Sequence, residues 1–95
     1  MILCKRDDGD YMNELYEMIE DRIAKSGYPG KIDGRDFYAD ICDEADDKEN
    51  GTYMFLIKKD DNLSYQGCIT IMDEEMDLHY VDIVAGNEKY HADFS

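Results

Sequence analysis

Apolar residues return at two different periods along this chain, and the change of period divides it. Met12, Leu15, Ile19 and Ile23 recur every three or four positions, the spacing of one face of an α-helix. That stripe predicts a helix from about Asp10 to Ser26. Asp10 is placed as its N-cap, because a carboxylate there accepts from the orphan amides of the first turn. Gly27 and then Tyr28-Pro29-Gly30 stop it, since glycine suits the left-handed C-terminal position and proline cannot continue a helix. A second helix is predicted from about Arg35 to Asp46, with Phe37, Tyr38, Ile41, Cys42 and Ala45 as its stripe. Asp33 is its N-cap, and Asp36 three residues on approximates a reciprocal capping arrangement.

From Thr52 the period falls to about two. Thr52 to Lys59, Tyr65 to Met72 and Asp77 to Val84 read as strands, separated by the turn formers Asp60-Asp61-Asn62 and Asp73-Glu74-Glu75. In the third strand, His79 and Val81 are expected to flank Tyr80 in regular alternation. Short connections favour an antiparallel meander. Gly86-Asn87 is expected to end it and leave a polar tail through Tyr90, His91 and Phe94. Ile2-Leu3-Cys4 precedes the breaker Asp7-Asp8-Gly9, so residues 1 to 6 can add an edge strand. The expected fold is α+β: two N-terminal helices on a three-stranded antiparallel β-meander, in a single domain over residues 1–95.

Charge then narrows the function. The chain carries 24 acidic against 10 basic residues, a formal charge of -14. That balance argues against a direct grip on nucleic acid or on an anionic membrane, both of which need Lys and Arg against phosphate. No apolar run approaches the roughly 18 residues of a membrane span. Met1-Ile2-Leu3-Cys4 reaches Lys5 and Arg6 too soon for a secretory signal, so a soluble, cytoplasmic protein is expected. High charge can mark disorder, but eight Tyr, three Phe and patterned Ile and Val argue for a folded chain.

The layout of the acids is more informative than their number. On the first helix Asp10, Glu14, Glu17 and Asp21 fall together, opposite the apolar stripe. On the second, Asp36, Asp40, Asp43 and Asp47 do the same, at the same i, i+4, i+7, i+11 spacing. An ordinary solvated face is the default for such rows. Solvated faces, however, gain about 0.2–0.5 kcal/mol from each Glu–Lys pair at i, i+4, and neither row contains a cation. Aspartate is also a poor helix former. Eight charges over roughly 16 Å of helix come to about one per 2 Å, against about one per 1.7 Å of axis in duplex DNA. Glu74, Glu75, Asp77 and Asp82 can extend that field.

In size, charge and charge layout the chain is similar to the DNA mimics of phages and mobile elements, among them anti-restriction and anti-CRISPR inhibitors. It shares no motif with them, so no residue role is carried over. The expected partner is a protein with a basic, nucleic-acid-binding surface. The alternative is an interaction or homodimerisation domain that uses the sheet face or a strand edge. Met54 and Met72 would then be a self-association face in place of core filler, while Tyr16 and Tyr38 are expected on the helix shoulders with their hydroxyls wet.

No catalytic, cofactor or metal site is expected. The EF-hand register is absent from Asp43 to Gly51 despite its acidic composition. His79, His91 and the three cysteines lack ligand spacing, and Cys4, Cys42 and Cys68 read as buried reduced thiols. The glycines form no phosphate cradle.

Overall fold

Burial of the first stripe explains the first helix. In a computed structural model, which describes residues 1–3, 9–73 and 75–95, Leu15, Ile19 and Ile23 are at most 3% exposed on the inner side of helix α1 (Gly9–Lys25). Met12 is half-buried beside them. Because α1 already includes Gly9, Asp10 lies inside the first turn and does not cap it. Its charge there still complements the positive end of the helix dipole. Gly27, at φ +91°, ends the helix as expected.

Helix α2 (Gly34–Ala45) is capped by Asp33, whose Oδ1 accepts from Arg35 N at 2.9 Å and Asp36 N at 3.1 Å. It stops at Ala45, and Asp46 and Asp47 form the turn that follows. Lys48 N bonds back to Ala45 O there, closing a tighter turn. Tyr38 is buried in the core, in place of the expected wet shoulder, and meets the half-buried Tyr16 edge-to-face with ring centroids 5.8 Å apart.

The meander is present, and the sheet is larger than three strands. Among the described residues, five antiparallel strands form one sheet: β1 (Ile2–Leu3), β2 (Gly51–Asp60), β3 (Leu63–Met72), β4 (Glu75–Ala85) and β5 (Glu88–Asp93). The expected polar tail is therefore β5, which turns at Gly86-Asn87 and pairs with Tyr80–Ala85 of β4. Ala92 and Phe94 enter the core from it, each about 1% exposed, while His91 and Asp93 face outward. The edge strand expected over residues 1 to 6 is β1, paired with Met76 and Asp77 on the same flank of β4; Cys4, Lys5 and Arg6 lie outside the described residues. The order across the sheet is thus β2, β3, β4, and then β1 and β5 end to end.

A β-bulge breaks the alternation expected around Tyr80. Cys68 pairs with Tyr80 but Ile69 pairs with Leu78, so β4 holds one extra residue, His79. Leu78 and Val81, three apart, both point into the core as a result. His79 and Tyr80 both take the outer face, where His79 Nε2 lies 2.7 Å from Thr70 Oγ1 and the Tyr80 hydroxyl 3.8 Å from Met54 Sδ.

One hydrophobic cluster sits between the two helices and one face of this sheet. Phe37 of α2 joins the layers, touching Tyr65 of β3 and stacking on Phe94 with centroids 5.8 Å apart. The opposite sheet face is covered by no described element, and Met54, Leu56 and Met72 are 68, 62 and 61% exposed. Cys42 and Cys68 are only half-buried, which corrects the expectation of buried ones; Cys4 lies outside the described residues. No described helix is long and apolar enough to cross a membrane.

Candidate protein-binding surface

Because both stripes are buried against the same sheet face, both acidic rows lie in the outer helix layer. The helices run antiparallel. Gly34 N donates to Glu20 Oε2 at 2.8 Å, and four residues further along α2 Tyr38 meets Tyr16, four residues back along α1. The C-terminal end of α2 is thereby brought toward the N-terminal end of α1.

The individual carboxylates differ in what surrounds them. Asp10, Glu14, Glu17, Asp21, Asp36, Asp43 and Asp47 are exposed, and Asp40 is half-buried. Asp21 pairs with Lys25 at 2.9 Å and Asp40 with Lys59 of β2 at 2.7 Å, so one charge in each row is compensated by these pairs. Asp47 lies in the turn after α2, which shortens the second row to Asp36, Asp40 and Asp43 on the helix itself. Asp36 sits in the first turn of α2, where an acid favours the dipole. Among the described residues, no cation lies within 4 Å of Glu14, Glu17, Asp43 or Asp47.

Two further groups of acids matter that spacing alone does not single out. Glu20 is off the rows and caps α2 from α1, a job visible only once the helices are packed. Asp46 and Glu49 join Asp43 and Asp47 around the end of α2, all exposed, and its last turn contains no basic residue. Their signal in the sequence is the plain density of acids from Asp43 to Glu49. Lys48, the cation among them, directs its Nζ to the Glu44 carbonyl.

The strand acids do not extend this surface. Asp77 and Asp82 lie on the outer sheet face, away from the helices; Asp82 Oδ1 is 2.6 Å from His91 Nδ1 and its Oδ2 3.5 Å from Lys89 Nζ. Glu75 is exposed at the start of the same strand, and Glu74 lies outside the described residues. The Asp93 carboxyl is held below its usual range, chiefly by the Ser95 hydroxyl and backbone N–H that donate to it. Tyr65 is pushed up to about 12 by burial and then by the Asp40 carboxylate, so it remains a neutral hydroxyl beneath the acidic layer.

A cleft of about 270 Å³ opens between α1 and the β1–β5 flank, lined by Met1, Ile2, Tyr11, Leu15, Met18 and Phe94 with Glu14 and Arg22. No group of three or more His, Cys, Asp or Glu is arranged to hold a metal among the described residues. No protein-family model matches the chain, and no curated protein or solved structure matches it either.

Uncompensated like charges in one layer repel, and counter-ions screen that repulsion within about 10 Å at 0.1 M salt. The melting temperature is therefore expected to rise by several degrees between about 0.05 and 0.5 M sodium chloride. Thermal unfolding followed by circular dichroism reads this directly, and a flat response would show that the acids are already compensated.

Proposed function

We propose that this chain is a non-enzymatic binding domain whose acidic helix layer occupies the basic, nucleic-acid-binding surface of another protein in place of DNA. The observation that carries this reading is the crowding of Asp43, Asp46, Asp47 and Glu49 at the C-terminal end of α2. Negative charge there opposes the helix dipole, at a cost of some tenths of a kcal/mol for each exposed group. Solubility alone is served as well by mixed signs, which also stabilise the helix. Glu14 and Glu17 on the antiparallel neighbour add to the same layer. Carboxylates spaced at helical intervals and left without cations suit Arg and Lys side chains that otherwise meet phosphates.

The test compares the wild-type chain with the variant Glu14→Lys/Glu17→Lys/Asp43→Lys/Asp47→Lys, which leaves the caps Asp33 and Glu20 and the paired Asp40 intact. Immobilised wild-type protein is expected to retain a basic, nucleic-acid-binding protein from host lysate at about 0.1 M salt. Release is expected at about 0.5 M, where the Debye length falls below about 5 Å. Duplex DNA should compete for the retained protein, and the quadruple variant should bind it at least about 100-fold more weakly by titration. Retention that ignores salt, DNA and charge reversal alike would remove the acidic layer from the function.

A further inference from the structure

We propose that β2 is a self-association edge, pairing antiparallel with β2 of a second copy to form one continuous sheet. Among the described residues β2 is hydrogen-bonded to β3 alone, so its other side is an open edge ten residues long. Native edges are usually blunted by charge, proline, a bulge or shortness. In β2 such devices occur at one end only: Lys58 and Lys59, with a register irregularity between Lys58 and Asp60. The stretch Thr52-Tyr53-Met54-Phe55-Leu56-Ile57 has none of them. Met54 and Leu56, the two most exposed of the large apolar side chains, are both on this strand and both on its outer face.

The identity of the occupant follows from the symmetry of that stretch. A two-fold antiparallel pair must place same-face residues opposite one another. Centred on Phe55, it sets Met54 against the second copy's Leu56, Leu56 against its Met54, and Tyr53 against its Ile57. Moving the centre to Met54 sets Leu56 against Thr52, and moving it to Leu56 sets Met54 against Lys58. Only the Phe55 register matches every large apolar residue of the strand with another. Charge agrees with it, because antiparallel pairing keeps Lys58-Lys59 of one copy away from the same pair of the other and lays them toward Gly51 and Thr52. The contact also avoids the acidic helix layer, where two copies would repel. A strand-edge interface of this kind is at the small end of the size range for specific contacts, so a dimer with micromolar affinity is expected. It is independent of the DNA-mimic reading and stands or falls separately from it.

Sedimentation equilibrium of the whole chain tests the pairing, with amide hydrogen exchange of β2 measured at about 1 and about 200 μM. The expected result is a shift from one to two chain masses over that range, with alternate β2 amides becoming at least about 10-fold more protected at the higher concentration. Met54→Lys/Leu56→Lys is expected to raise the dissociation constant at least about 10-fold. It should leave the melting temperature of the dilute monomer within a few degrees, since both side chains are exposed. A monomer at every concentration would leave the edge to a strand of some other protein and overturn the proposal. So would a dimer whose β2 amides gain no protection, which means packing through the sheet face instead.

Discussion

Replacing Phe94 by alanine is expected to lower the melting temperature by about 15–30 °C, although the residue is next to last in the sequence given. Phe94 is about 1% exposed and stacks on Phe37, the ring that joins α2 to the sheet. Its N–H donates to His79 O at 3.0 Å, tying the end of β5 to the bulge of β4, and its carbonyl accepts from the Met1 amine. Truncating a buried phenylalanine costs about 3–5 kcal/mol, and each kcal/mol shifts the midpoint of so small a domain by about 4–8 °C. That loss approaches the whole stability of many domains this size. Phe94→Leu, which keeps most of the buried volume, should recover more than half of it. Thermal melts of the two variants check both numbers; a loss of only a few degrees in Phe94→Ala would mean that the residue lies outside the core, as the pattern of the sequence suggested.

Gly34→Ala is expected to destabilise by about 1–2 kcal/mol, against the usual preference for alanine in helices. A Cβ at Gly34 would lie 2.3 Å from Tyr16 O and 2.9 Å from Tyr16 C. Those are backbone atoms of α1, so relief requires the two helices to separate. Separation also stretches the Glu20 carboxylate from the Gly34 amide. Alanine's intrinsic advantage over glycine, about 1 kcal/mol, is smaller than the 1–3 kcal/mol typical of overpacking, so the clash decides the sign. Gly86→Ala is the contrast. It has nothing within 4 Å but sits at φ +62°, and the left-handed strain alone should cost about 1–2 kcal/mol. Urea unfolding of the three chains gives the ranking, and a more stable Gly34→Ala would show that the helices do not meet at this point.

The two glycines and Phe94 show what kinds of information the linear pattern holds. Both helices were legible because Leu15, Ile19, Ile23 and Phe37, Ile41, Ala45 repeat at the helical period, and because Asp33 and Gly27 mark ends through local hydrogen bonding and φ alone. The meander was legible for the same reason, its turns being short and rich in Asp and Asn. Strand β5 was not. Its six residues include only Tyr90 and Ala92 as apolar inward positions, and what makes them a strand is the open flank of β4, which no local signal reports. The bulge at His79 was hidden likewise, since the extra residue follows from the register between β3 and β4.

The acidic rows divide along the same line. Their spacing and their lack of internal cations are properties of the chain. Lys59 on Asp40, the end of α2 before Asp47, and the separation of Asp77 and Asp82 onto the other sheet face are properties of the packing.

By itself, then, the sequence determined the class of fold, the two helices, the three long strands and the sign of the surface, because each of these depends on periodicity, capping or net charge within a few residues. Only the tertiary structure decided that both acidic rows share one layer, that Glu20 is a cap, that Phe94 is core, and that β2 is left with an open edge. Each of those depends on which distant segments meet, and the free energy that selects the meeting comes from burying their apolar faces together.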